Sequence, residues 1–186
     1  MVELLVTIAI IGIVTGIAVF TFTNALPTMR ADSAMQLLQN QLRQARETAI
    51  DQRRNILVTF KGIGEVLTVR QDLDITTTPP TVTSTTTLSD FILNPNQMVY
   101  KVISGVSDTP DAFGNSTAVS FNCGSPPLPC TITFQSDGSV VDHTGAYING
   151  TVFIGYMTTA STARAVTIFG TTGRIKGYRY NGKVWF

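Results

Sequence analysis

Charge is scarce in this chain of 186 residues: Lys, Arg, Asp and Glu make up 13% of it, against 44% hydrophobic residues. It has one histidine, His143, one tryptophan, Trp185, and two cysteines, Cys123 and Cys130. Two cysteines and one histidine are fewer donors than a tetrahedral metal site draws on, so no metal or cofactor is expected. His143 stands beside Asp142 and near Ser139, but a nucleophile, base and acid are defined by a geometry that this adjacency does not supply. These residues read as a surface turn. Gly62-Ile63-Gly64 has no following helix to hold a phosphate, and the stretch from Gly170 to Arg174 lacks the Lys-Ser/Thr of a P-loop. No enzymatic activity is expected.

Two further absences organise the chain. No cation precedes Arg30, and residues 4–29 carry no charge at all. As a helix rising ~1.5 Å per residue they would reach ~39 Å, against a hydrocarbon core of ~30 Å, so they can span a membrane. A cleaved secretion signal would place basic residues first and carry a shorter apolar core, which does not match. Glu3 stands just ahead of the run. A carboxylate costs up to ~3 kcal/mol at the bilayer centre and less near a helix end, so on the residues alone Glu3 reads as interfacial. Gly12 and Gly16 are four apart, a small-xxx-small spacing that lets apolar helices approach closely.

Beyond the span, Ala34, Met35, Leu38, Leu42, Ala45 and Ala49 recur at steps of mainly three and four, the stripe of an amphipathic helix. Arg43, Arg46, Glu47, Asp51, Arg53 and Arg54 fill other positions and read as a solvated face. The expected organisation is a membrane half of the helix over 1–29, an amphipathic half over 30–54 and a β-rich head over 55–186. Short β-branched and aromatic runs supply the strands: NILVTF, EVLTVRQD, MVYKVIS, AVSFNC, TITFQSDGSV, YINGTVFIGY, RAVTIFG and RIKGYRYNGKVWF. Asp137-Gly138 and Asn181-Gly182 are hairpin-type turns. Residues 75–89 hold eight threonines, two serines and two prolines and read as an extended exposed loop. Asn115-Ser116-Thr117 and Asn149-Gly150-Thr151 match a glycosylation pattern and are taken as chance. The fold class is α+β, a long helix packed on an antiparallel sheet or sandwich.

The second absence lies at the other end, where no carboxylate follows Asp142. Residues 1–142 carry eight cations and twelve acids, and residues 143–186 five cations and no acid, a split of −4 and +5 inside a net charge of +1. Such asymmetry points to an anionic partner. In the last stretch Arg174, Lys176, Arg179 and Lys183 alternate with Tyr178, Tyr180 and Trp185, and on a strand Arg174 and Lys176 share a face. The competing reading is a solvated strand edge kept from pairing by its cations.

The opening MVELLVTIAIIGIVTGIAV resembles the start of mature type IV pilins and pseudopilins, in which a Glu just inside the N-terminus precedes a long apolar helix. With FQSDGSV and the closing GRIKGYRYNGKVW, the chain is similar to the GspH/FimT family of minor pilins and pseudopilins. The resemblance implies that Met1 and Val2 are the last two places before the Glu, with two mature residues and a basic leader ending in Gly upstream. A proline often found after the apolar run is Phe20 here, which leaves Pro27 as the candidate kink. The resemblance also implies that Glu3 meets the terminal amine of a neighbouring subunit. The implied partners are other pilin or pseudopilin subunits, an inner-membrane assembly machinery, a prepilin peptidase acting on the precursor, and membrane lipid before assembly. The implied location is a bacterial inner membrane, crossed once with the head outside the cytoplasm, and afterwards a periplasmic or surface filament. Export places Cys123 and Cys130 where disulfides form, so a local bridge is expected. One branch of the family uses a terminal Gly-Arg-x-Arg motif on DNA. Here it stands as Gly173-Arg174-Ile175-Lys176, with lysine keeping the charge but not the bidentate fork. Two functions follow: a filament subunit, or a DNA-binding minor pilin that takes up double-stranded DNA through Arg174, Lys176, Arg179 and Lys183.

Overall fold

The computed structural model describes residues 2–60, 68–74, 81–87, 98–123, 129–156 and 158–186. One helix, α1 (Val2–Gln52), leads into the strands β1 (Ile56–Phe60), β2 (Thr68–Asp74), β3 (Thr81–Thr87), β4 (Val99–Tyr100), β5 (Cys130–Phe134), β6 (Val140–Val141), β7 (Gly150–Gly155), β8 (Arg164–Phe169) and β9 (Arg174–Arg179). The helix continues through Pro27, whose ring removes the N–H that would bond the carbonyl four residues back. It ends where Arg53 turns to φ +50° and Arg54 N–H returns to the Ala49 carbonyl at 3.1 Å, a left-handed exit of the kind that closes helices.

The two halves of α1 meet different surroundings. No residue of Val2–Val19 is buried against the rest of the chain. The hydroxyls of Thr7 and Thr15 donate to the carbonyls of Leu4 at 2.9 Å and Ile11 at 2.7 Å, so their polar atoms are satisfied inside the helix and tolerate hydrocarbon around it. In the second half the expected stripe is buried, and Ala31 extends it by one turn towards the N-terminus. Burying Met35, Leu38 and Leu42 contributes about 1.5–3 kcal/mol each, while the intervening alanines let the helix lie close to the strands.

Those strands form two antiparallel sheets, ordered β3-β2-β1-β5-β6 and β4-β7-β8-β9. Along β1 and β5 burial alternates with every second residue, so Ile56, Val58, Phe60, Cys130, Ile132 and Phe134 face a core shared with the helix stripe. The strands β7 and β8 are buried almost throughout, because other segments lie on their far side. Val119 bridges Val152, Phe153 N–H donates to the Ala118 carbonyl at 2.8 Å, and the Trp185 ring lies 6.0 Å from Phe153. The architecture is α+β, as expected.

The 75–89 stretch departs from the expected loop. Thr81–Thr87 is strand β3, paired with β2 through a bulge between Asp72 and Leu73. Threonine is β-branched and favours extended backbone, so a Thr-rich run beside an available strand edge joins it. The rest of that stretch lies outside the described residues, as does Gly62-Ile63-Gly64. Two expected strands shrink: MVYKVIS gives the two residues of β4, and AVSFNC gives the single bridge at Val119. Both hairpin turns form, with Gly138 at φ +83° and Gly182 at φ +95°, conformations that glycine adopts without cost. Cys123 and Cys130 are joined by a disulfide with Cα atoms 5.1 Å apart.

Candidate functional site

Two surfaces carry the residues singled out from the sequence. The first is the open half of α1. Glu3 lies in its first turn, where the unpaired N–H groups of a helix start favour negative charge. A Cβ added at Gly12 or Gly16 would meet nothing within 4 Å, so their faces are free for another helix. The flanking Leu5, Ile11, Ile13 and Ile17 are each about two-thirds exposed.

The second surface is β9, and here the structure divides the four expected cations. Side chains alternate along the strand, so Arg174, Lys176 and Tyr178 occupy its outer face, whereas Ile175, Gly177 and Arg179 turn towards α1. A Cβ on Gly177 would lie 2.7 Å from the Gln39 side chain. Arg179 Nε lies 3.1 Å from Asp32 Oδ1, an oxygen that Arg164 Nε also reaches at 2.6 Å. Arg179 is therefore committed to a contact with the helix and does not belong to the outer pair. Lys183 sits apart, in a turn whose Asn181 Oδ1 accepts from the N–H groups of Lys183 and Val184, both at 2.9 Å.

The aromatics are structural more than presented. Tyr180 is buried beside Trp185, with ring centroids 5.3 Å apart, and Trp185 Nε1 donates to the Ser107 carbonyl at 2.7 Å. Arg174 stands over the Phe169 ring at 5.9 Å and Lys176 over the Tyr178 ring at 5.7 Å.

An acid that the C-terminal sequence lacks is supplied from elsewhere. Asp111 Oδ2 accepts from Thr167 Oγ1 at 2.7 Å and Oδ1 from the Tyr178 hydroxyl at 2.8 Å. Partial burial would raise its pKa, but those two hydrogen bonds and the charges of Lys176 and Arg174 outweigh it and hold the carboxyl below its ordinary value. Asp111, Tyr178, Lys183 and Trp185 also line a cavity of about 240 Å³. No sequence signal marked Asp111 or Asp32, because each meets its partners across a fold-level contact.

Asp142, His143 and Ser139 serve turns. Asp142 accepts from Asn122 Nδ2, from Thr144 N–H and Oγ1, and from Ala146 N–H. Burial opposes its ionisation, yet these donors hold its pKa down at about 2. His143 Nδ1 lies 3.2 Å from the Asn122 carbonyl, and the Ser139 hydroxyl is shared between Asp137 Oδ1 at 2.5 Å and Gln135 Oε1 at 2.9 Å. Asn149 Oδ1 accepts from Gly170 N–H at 2.8 Å, and the stretch from Gly170 to Gly173 is the turn between the paired strands β8 and β9.

Arg46, expected on a solvated face, instead reaches the head. Its Nε donates to the Gly138 carbonyl at 3.2 Å and its terminal nitrogen to the Thr172 carbonyl at 3.1 Å. One guanidinium thus ties the β5–β6 and β8–β9 turns to α1, a use that its planar fork of donors permits.

Among solved structures, the chain is similar to the type IV minor pilin FimU of Pseudomonas aeruginosa, at 17% identity and a TM-score of 0.42, over 90% of this chain and 96% of that one. A second crystal form of the same pilin aligns at 16% identity and a TM-score of 0.42, over 83% of this chain and 96% of that one. No family model matches the sequence, and no curated protein does.

Proposed function

We propose that this chain is a structural subunit of a pilin-like filament, a minor pilin or a secretion pseudopilin, that polymerises through its N-terminal helix. The observation that carries this reading is the single helix: one half seals a β-rich head, and the other, continuous with it, is apolar, uncovered and preceded by Glu3. Before assembly, lipid covers that half, and the chain crosses the inner membrane once with its disulfide-bonded head outside the cytoplasm. In the filament, neighbouring helices replace lipid, close approach falls at Gly12 and Gly16, and the Glu3 carboxylate finds a partner cation there. Precursor cleavage by a prepilin peptidase and extraction by membrane-bound machinery belong to the same reading. The test compares wild type with Glu3→Ala in cells. The variant should stay in the membrane fraction and leave the sheared filament fraction, and normal incorporation would overturn the reading.

A second reading, a DNA-binding minor pilin, is favoured by one observation: Arg174 and Lys176 are exposed side by side on the outer face of β9. With Arg179 engaged by Asp32, this face offers two phosphate contacts at its centre and Lys183 at its margin. Duplex binding by the full chain in nonionic detergent should weaken with salt at a log-log slope of roughly −2. Undiminished binding by Arg174→Gln/Lys176→Gln would sink it.

A further inference from the structure

Asp111 reaches the outer face of β9 by a route that the backbone resists. Asp111 and Ala112 are consecutive non-glycine residues in the left-handed region, at φ +52° and +59°, where the Cβ of an L-residue crowds its own chain. Strain of this kind persists only when surrounding contacts hold it and is concentrated where a side chain must be placed. Here the contacts are the hydroxyls of Thr167 and Tyr178. The Tyr178 hydroxyl, while donating to Asp111, accepts from Lys176 Nζ at 3.3 Å. Carboxylate, phenol and ammonium are therefore linked in one hydrogen-bonded chain, and the carboxylate also feels the charges of Lys176 and Arg174.

We infer that Asp111 is a built-in counter-ion that competes with external anions for Lys176 and, at longer range, for Arg174, so that the outer face of β9 accepts a polyanion less tightly than its cations alone would. The inference rests on the second reading above as regards DNA, but it concerns the charge balance of the face itself. An approaching phosphate finds Lys176 already turned to Tyr178 and a fixed negative charge behind it. Asn in its place keeps one of the two accepting oxygens and turns an amide N–H to the other hydroxyl, which can rotate to accept it, so Asp111→Asn removes the charge at the cost of one rearranged hydrogen bond. Only the charged role depends on the proton balance of the carboxyl.

The experiment uses the full chain in nonionic detergent, measuring the salt at which it elutes from immobilised heparin and, separately, its affinity for a labelled DNA duplex. Asp111→Asn should elute later than wild type and bind duplex roughly three- to tenfold more tightly, with a salt slope steeper by about one. Asp51→Asn, an equal change of net charge on the exposed end of α1, should shift elution less. Arg174→Gln/Lys176→Gln in the Asp111→Asn background should remove the gain. In the wild-type background Lys176→Gln should cost less retention than Arg174→Gln, a comparison of exposed residues that stands even if the Asp111 variant does not fold. A later heparin elution with no duplex binding by any variant supports the counter-ion and overturns the DNA reading. Equal shifts for Asp111→Asn and Asp51→Asn, or equal losses for Lys176→Gln and Arg174→Gln, overturn the counter-ion and leave the DNA reading to stand on the duplex data.

Discussion

Arg164 and Arg179 lie directly opposite each other across β8 and β9, and both guanidinium groups reach one carboxylate oxygen, Asp32 Oδ1. Two like charges in register would repel; the helix resolves this by supplying the acid. The partners are unequal, because Arg164 is 4% exposed and also donates to the Ser161 and Ala163 carbonyls at 2.9 and 2.8 Å, whereas the Arg179 side chain is 44% exposed.

Asp32→Asn should therefore destabilise the head by about 2–4 kcal/mol, since it leaves the buried Arg164 without its counter-charge. Arg179→Gln should cost about 1 kcal/mol or less, as an exposed ion pair does. Thermal unfolding of the full chain in detergent measures both. Equal losses would show that Arg179, and not the buried Arg164, carries the contribution of the carboxylate.

The Arg46 clamp makes an ordered prediction for three variants. A Cβ on Gly173 would lie 1.9 Å from the Gly138 carbonyl oxygen and 2.7 Å from Arg46 Nε, so Gly173→Ala must open the junction of both turns. Arg46→Ala removes two hydrogen bonds to carbonyls and should cost about 1–3 kcal/mol. Arg46→Lys should recover part of that loss. Urea midpoints should rank Lys above Ala at position 46, with Gly173→Ala lowest.

Acid should weaken the head through Asp142. Its folded pKa of about 2 lies below the 3.8 of an ordinary aspartate, so the folded state binds the proton less well than the unfolded one. Its contribution is complete above about pH 4 and is lost as pH falls towards 2. The expected size is roughly 1–2 kcal/mol, with partial solvent screening allowed for. Asp137, whose carboxyl is held low chiefly by the Ser139 hydroxyl and N–H, acts in the same direction. In Asp142→Asn, stability measured between pH 5 and pH 2 should fall less steeply than in wild type. Parallel curves would remove Asp142 from the acid response.

The Cys123–Cys130 bridge closes a short loop, for which chain entropy gives about 2–3 kcal/mol. Non-reduced protein should show no alkylatable thiol by intact mass. Cys123→Ser/Cys130→Ser should melt roughly 4–12 °C lower, given ~2–4 °C per kcal/mol at this chain length. An unchanged melting temperature would show that strand pairing between Phe60 and Cys130 holds that end of β5 unaided.

The periodic and turn-bounded parts of this fold were legible in the sequence. The stripe from Ala34 to Ala49 is a one-dimensional pattern, and it folds as read because a helix with one apolar face has only one way to bury it. The hairpin at Asp137-Gly138 follows from residues that tolerate positive φ between two β-branched runs. Strand β3 is not legible from composition: a threonine run suits a loop by polarity and a strand by shape, and the neighbouring β2 decides between them. At the basic face, alternation placed Arg174 and Lys176 together, while the same alternation sent Arg179 to the opposite side. Asp32 and Asp111, which set the electrostatics of both sides, come from 132 and 67 positions away from Arg164 and Tyr178. No local pattern encodes such meetings.

The 51-residue helix is ~77 Å long at ~1.5 Å per residue, with no linker between its uncovered part and its packed part. Mechanically it is a lever fixed at one end. A push on the uncovered end acts on the head with a long arm, and the place where this rod yields most easily is Pro27, whose neighbouring turn lacks one backbone tie. Asp32 fastens the helix to the head five residues further on, so a bend at Pro27 would fall ahead of that fastening. A bend there would swing the head as a whole and leave the Asp32 contact with Arg164 and Arg179 in place.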